Sequence, residues 1–256
     1  MADATLLRQD QDGIVLVTID RPDRGNAISR GGWLELRDVV REIREQPAAR
    51  GLILTGSGDR SFASGADIRE LVDRDPWVAL DGLVQSILVE LEDLPVPTIA
   101  AVNGHALGGG WELALACDLR VASSKARLGF PEVGLGILPG AGGTQRILQH
   151  VGLGRAKELI LSGRIIDGRE ALELGLVNRV VEPEEVLASA RELLGQILEQ
   201  APRAVRLAKT VLNATSRRNA AFDLERLAYT LAFHSDEREE RMRRFLDERA
   251  SRKKPD

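Results

Sequence analysis

The 256-residue chain is 43% hydrophobic and 29% charged, the balance of a globular protein, with length for one large domain or a domain plus a small appendage. Its formal net charge of −4 argues against the positive field of a nucleic-acid binder. Its single cysteine, Cys117, excludes an intrachain disulfide and a multi-cysteine zinc site.

His105, His150 and His234 lie far apart with no ligand spacing, so no His-rich metal site is expected. No apolar run reaches the roughly 18 residues of a membrane helix, so membrane insertion is not expected. The opening MADATLLRQD has no basic start followed by an apolar core, so the expected location is the cytoplasm.

In chain order, Leu6–Arg8 and Ile14–Ile19 flank the turn cluster Asp10-Gln11-Asp12-Gly13 and read as a hairpin. Ser29 is placed to cap a helix over roughly 32–45, with apolar positions Trp33, Leu34, Leu36, Val39, Val40 and Ile43. Gly51–Thr55 is a short, continuously apolar run, the pattern of a buried parallel strand. A Gly/Ser-rich loop, a helix from about Asp67 and a longer helix over Trp77–Leu91 follow. Pro95 and Pro97 break the chain before a second buried strand, Thr98–Val102. Asn103–Gly110 reads as a glycine-rich loop, Trp111–Cys117 as helix and Leu119–Ala122 as strand. Arg127–Gly129 is a short extended piece, a helix begins at Gly140–Gly143, and Leu176–Val181 is the last strand. From roughly residue 200 the pattern is helix only. Strand–helix–strand order with buried runs implies an α/β core built on crossover connections.

Two glycine loops stand between strand and helix. In Ser64-Gly65-Ala66-Asp67-Ile68, Ala66 precedes a helix, where backbone N–H groups are free and the field is positive. A plain helix cap by Asp67 and a turn at Gly65 explain the same string. In Asn103-Gly104-His105-Ala106-Leu107-Gly108-Gly109-Gly110-Trp111-Glu112, three successive glycines let backbone approach a ligand closely. Neither loop has the spacing of a dinucleotide fingerprint, and no P-loop or hydrolase elbow occurs. Two N–H donors converging on one oxygen would make an oxyanion hole for a thioester becoming an enolate. Glu112, just after the glycines, and Glu132, just after Pro131, are candidate acid/base carboxylates. Surface solvation explains any single glutamate equally well.

The strings Ser61-Phe62-Ala63-Ser64-Gly65-Ala66-Asp67, Ala101–Leu113, Gly129–Gly136 and Pro139–Arg146 resemble, in order and spacing, the crotonase superfamily (the enoyl-CoA hydratase/isomerase family). The resemblance runs from about Ile14 to about Asp247. It implies a ββα superhelical core that binds coenzyme A thioesters, and a C-terminal helical region that builds homotrimers, commonly paired into hexamers. The corresponding division is residues 1–199 for the catalytic core and 200–256 for the helical region. It further implies an oxyanion hole from the N–H groups of Ala66 and Gly109. Glu112 would activate water and Glu132 would protonate the α-carbon. The presence of both carboxylates favours hydratase over isomerase, with other crotonase-type lyases and a non-catalytic acyl-CoA binder as the alternatives.

No cofactor is implied, because coenzyme A enters as part of the substrate. By the same resemblance Arg24, Asn26, Ala27, Arg60, Ser64, Gly65, Asp67, Ile68, Gly108, Pro131 and Gly140 belong to the substrate and CoA site. Glu239-Glu240-Arg241-Met242 and the aromatic-free end Ser251–Asp256 depart from the common pattern, which puts tail contacts to CoA in question. Cys117 and His105 read as structural, and Trp77, Leu80 and Leu83 as helix packing with an acyl-pocket wall as the rival role.

Overall fold

The computed structural model describes residues 5–72, 81–216, 219–233 and 236–251. Leu6–Gln11 (β1) and Ile14–Ile19 (β2) form the expected antiparallel hairpin, with Gln11 opposite Ile14. Asp12 and Gly13 make its two-residue turn, both at positive φ (53° and 79°), which suits the strand twist. Ser29 caps α1 (Arg30–Glu45), its hydroxyl accepting from the Gly32 N–H at 3.2 Å. Trp33, Leu36, Val40 and Ile43 are its buried face.

Beyond α1 the strands come in pairs. Gly51–Gly56 (β3) leads into Ser61–Ala63 (β4), which is followed by the helices Ile68–Val72 (α2) and Leu83–Glu92 (α3). Thr98–Val102 (β5) leads into His105–Leu107 (β6) and helix Gly109–Ala116 (α4). Leu119–Ser123 (β7) leads into Arg127–Gly129 (β8), a 3-10 turn over Pro131–Leu135 and helix Gly143–Ser162 (α5). Ile165–Asp167 (β9), Gly168–Glu173 (α6), Arg179–Val181 (β10) and Val186–Leu198 (α7) complete the core region.

The first strand of each pair joins a six-stranded sheet, β1-β2-β3-β5-β7-β10, and the second joins a four-stranded sheet, β4-β6-β8-β9. Each ββα coil therefore advances one strand in both sheets, a superhelix. Because β4, β6 and β8 are parallel neighbours, their chain exits at Ser64, Gly108 and Phe130 emerge side by side. Such carboxyl ends of parallel strands are where α/β folds place sites.

β3 is buried on both faces, as its unbroken apolar run requires. Leu52 and Leu54 point into the main core, while Ile53 joins Leu16, Ile99 and Val121 against Val186, Ala190 and Leu194 of α7. A Cβ at Gly51 would stand 2.8 Å from Leu194 Cδ1, so α7 rests directly on the strand.

The remaining helices are Pro202–Ser216 (α8), Asn219–Phe233 (α9) and Asp236–Ser251 (α10). Phe233 of α9 and Met242 of α10 share a third cluster with Leu71, Val72 and Ile137. Arg238 ties α10 down: it donates to Leu71 O at 2.8 Å and its guanidinium lies 4.8 Å above the Phe233 ring. Among the described residues no helix is long and apolar enough to cross a membrane.

The structure corrects several sequence expectations. β4, β6 and β9 fall in segments read as loops or helix, because three residues carry no readable alternation. The last strand covers only Arg179–Val181 of the expected Leu176–Val181. The helix expected to begin within Gly140–Gly143 does so, with α5 starting at Gly143. Of the helix expected over Trp77–Leu91, the described part is α3, Leu83–Glu92, and Trp77 and Leu80 lie outside the described residues.

Candidate active site

The three exits open onto one cavity of about 470 Å³, whose walls include Gly65, Ala66, Gly108, Gly109, Glu112 and Glu132. Residues 66 and 109 belong to different coils, 43 positions apart, yet their loops meet backbone to backbone. Gly65 has φ 85°, and a Cβ there would lie 2.8 Å from Leu107 O and 3.1 Å from Gly109 N. Only glycine permits both the conformation and the approach. A Cβ at Gly109 would in turn stand 3.9 Å from Ala66 N. Among the described residues, neither the Ala66 nor the Gly109 N–H donates to another protein group. The Gly109 amide opens α4, so the helix field adds positive potential there.

Glu112 sits in the first turn of α4 and is 3% exposed. Its Oε1 accepts from the Ala141 N–H at 2.7 Å and the Gly143 N–H at 2.8 Å. Burial pushes its pKa up to about 7, the nearby Glu225 charge adds to the rise, and the two amides and Arg146 oppose it.

Glu132 follows Pro131, which occupies the first position of the 3-10 turn, where its fixed φ is already suited to a helix. Gly108, at φ 53°, passes beneath it, and a Cβ on Gly108 would lie 3.2 Å from Glu132 Oε1. Glu132 Oε2 is buried without a hydrogen-bond partner among the described residues. Burial first, and the Glu112 charge second, hold this carboxyl well above the usual range. Neighbouring buried carboxyls cannot all ionise together. Glu112 has two amides to stabilise its anion, whereas Glu132 Oε2 has no donor among the described residues.

Sequence reasoning missed a third carboxylate. Glu225 of α9 is 3% exposed and accepts from the Gly142 N–H at 2.6 Å, the Thr144 N–H at 3.0 Å and the Gln85 Nε2–H at 3.2 Å. The Thr144 hydroxyl also donates to it. Burial raises its pKa against these donors. The string Leu224-Glu225-Arg226-Leu227 looks like any solvated helix face, so no signal in the sequence marks it. Arg146 braces the same region, donating to Ala141 O at 2.7 Å and pairing with Glu92 at 3.1 Å.

The other expected site residues divide into two groups. Ser64, Asp67, Ile68, Pro131 and Gly140 line the cavity. Arg24, Asn26, Ala27 and Arg60 are not among its lining residues. Arg24 reaches the rim through its ion pair with Asp67 at 3.2 Å. Asp67 also caps α2, accepting from the Arg69 N–H at 3.1 Å. The Asn26 side chain is committed within the fold: it accepts from the Arg21 N–H and donates to Ser57 O and Ser61 O. Leu83 lines the cavity, with Gln85 and Tyr229 beside it. Cys117 is buried core, and burial pushes its thiol up to about 12, where it is inert. Among the described residues no His, Cys, Asp and Glu group could hold a metal ion.

The family profile described as Enoyl-CoA hydratase/isomerase matches residues 9–254. The chain is 41% identical over 253 residues to a crotonyl-CoA hydratase of Syntrophomonas wolfei, covering 97% of both. It is 41% identical over 251 residues to a short-chain-enoyl-CoA hydratase of Clostridium acetobutylicum, covering 95% of both. Among solved structures, an enoyl-CoA hydratase from Bacillus anthracis superposes with a TM-score of 0.80 at 36% identity, over 95% of this chain and 96% of that one. With a superhelix of paired strands and matches spanning nearly its whole length, the chain belongs to the enoyl-CoA hydratase/isomerase family.

Proposed function

We propose that the protein hydrates a trans-2-enoyl-CoA to the 3-hydroxyacyl-CoA, with Glu112 as base, Glu132 as acid, and the Ala66 and Gly109 amides as the oxyanion hole. One observation carries this reading. Two amides without acceptors among the described residues and two buried carboxyls with raised pKa values border the same cavity.

The chemistry follows from that arrangement. The thioester carbonyl lies on the two amides. Glu112 takes a proton from water as the water oxygen bonds to C3. The double-bond electrons shift toward the carbonyl, and the enolate oxygen so formed is held by both N–H groups, each worth about 10²–10³ in rate. The enolate returns its electrons to C2, which takes the proton of Glu132. Glu112 then holds a proton and Glu132 lacks one, and exchange with solvent resets them. Every step is a proton transfer or a carbon–oxygen bond change, so the reaction requires no metal or redox group. The relatives' names, crotonyl-CoA and short-chain-enoyl-CoA hydratase, favour a short acyl chain here.

Residues 1–199 act as the catalytic core and 200–256 as the self-associating helical region, forming a homotrimer or hexamer. Leu207, Val211 and Leu212 of α8 support this, three large apolar side chains that are 55%, 65% and 68% exposed.

Decay of the ultraviolet band of the conjugated thioester tests the reaction, using crotonyl-CoA and longer homologues. No decay with any of them overturns the assignment. Migration of the double bond without water addition would instead mark an isomerase.

A further inference from the structure

Glu225 and Glu112 grip one short stretch of backbone from opposite sides. The N–H groups of residues 141–144 alternate between them: Ala141 and Gly143 donate to Glu112, and Gly142 and Thr144 donate to Glu225. The stretch is the entrance of α5, where unsatisfied amides and the helix field favour anions. Glu225 arrives from α9, 83 residues downstream of Gly142, and Gln85 of α3 holds it from the far side.

We propose that Glu225 is a positioning residue for Glu112: by fixing the Gly142 and Thr144 amides it orients the Ala141 and Gly143 amides toward Glu112, and its charge sets the pH range in which Glu112 works as a base. This rests on the hydratase reading above. The groups that face Glu112 are Glu132 from the 3-10 turn, Glu225 from α9 and Arg146 from α5, with Arg146 itself paired to Glu92 of α3. Of these, Glu225 is the anion with the most donors, four in all. A negative charge on it raises the pKa of both Glu112 and Glu132. The C-terminal helices are thereby part of the proton chemistry, although no residue of theirs touches the reacting atoms in this scheme.

The test is Glu225→Gln in the full-length protein, with kcat, KM and the pH profile of kcat/KM on crotonyl-CoA. Glutamine keeps an acceptor for the amides and removes the charge. The expected result is a kcat lowered at least about tenfold, KM within about twofold of the parent, and an acid limb moved to lower pH because Glu112 loses a neighbouring anion. Glu225→Asp should recover part of kcat. Thr144→Ala, which removes only a hydroxyl donor, should move the acid limb the same way by less, and it serves if the glutamine variant does not fold. Amide hydrogen exchange over residues 141–144, faster in Glu225→Gln than in the parent, reads the clamp without any turnover. A parent protein inactive on every enoyl-CoA sinks the hydratase reading, while the exchange measurement still decides the clamp. An active parent with an unshifted acid limb and unchanged exchange in Glu225→Gln overturns this proposal alone.

Discussion

Gly143 gives up its side-chain volume to Glu112. A Cβ at Gly143 would sit 2.8 Å from Glu112 Oε1 and 2.9 Å from its Cγ, with Phe130 Cε1 at 2.8 Å closing the other side. The glycine therefore serves the carboxylate twice, by donating its N–H and by leaving the space that the side chain fills.

Gly143→Ala should cost more than about tenfold in kcat/KM, since a misplacement near 1 Å can cost about 10² in rate. Affinity for a CoA thioester, measured by calorimetry, should stay within a few-fold because the cavity wall formed by Ser64, Asp67 and Ile68 is untouched. Unaltered turnover in this variant would show that Glu112 need not be held where it is.

Glu112→Gln and Glu132→Gln should each lower kcat by about 10²–10⁴, the usual worth of one positioned acid or base. Both variants should still bind the thioester. Full activity of Glu112→Gln in double-bond migration, with hydration lost, would identify Glu132 as the sole proton carrier of an isomerase.

The buried carboxyls also predict how activity and stability depend on pH. Glu112 must be ionised to act as base, so kcat/KM should rise through an acid limb near its pKa of about 7 and fall where Glu132 loses its proton. Stability runs the other way. The folded chain binds more protons than the unfolded one between the ordinary value of 4.5 and about 7 at Glu112. Its contribution is complete below the first value and lost as pH rises through the second. Tm should therefore fall from about pH 5 to about pH 7 and level off above that, at about 2–4 °C per kcal/mol, and Glu112→Gln should flatten that slope. A Tm that climbs over this interval in the parent would contradict the raised values.

Leu194→Ala tests the core rather than the chemistry. Leu194 is fully buried, and its methyl groups lie against the Gly51 backbone. Its truncation should cost about 2–5 kcal/mol in urea unfolding, with kcat unchanged well below Tm. A loss of kcat equal to that of the glutamate variants would tie α7 to the site in a way that the packing does not.

The parts of the fold that span many residues were legible in the sequence. The helical spacing from Trp33 to Ile43 and the unbroken Gly51–Thr55 run each have one structural solution, and the structure adopts it. The three-residue strands β4, β6 and β9 were not legible, because pairing with a neighbour, not local pattern, makes them strands. The site was half legible. Ala66, Gly109, Glu112 and Glu132 lie on turns whose glycines and proline mark them, and the structure brings all four to one cavity. Glu225, Gln85 and Tyr229 come from helices with ordinary amphipathic sequences, and only the folding of α9 over α5 reveals them. The Asn26 side chain was not legible either: it is occupied by three backbone groups, a tertiary role that no local pattern announces.

The alternation of strands between two sheets has a consequence for the cavity wall. The loops that carry the amides and the two acid/base candidates are ends of consecutive coils, locked by backbone contacts such as Gly65 against Gly109. The outer cavity surface around Leu83 and Tyr229 comes from helices laid on afterwards. That wall can therefore change shape by substitutions on those helices without disturbing the backbone contacts that hold Gly65 against Gly109.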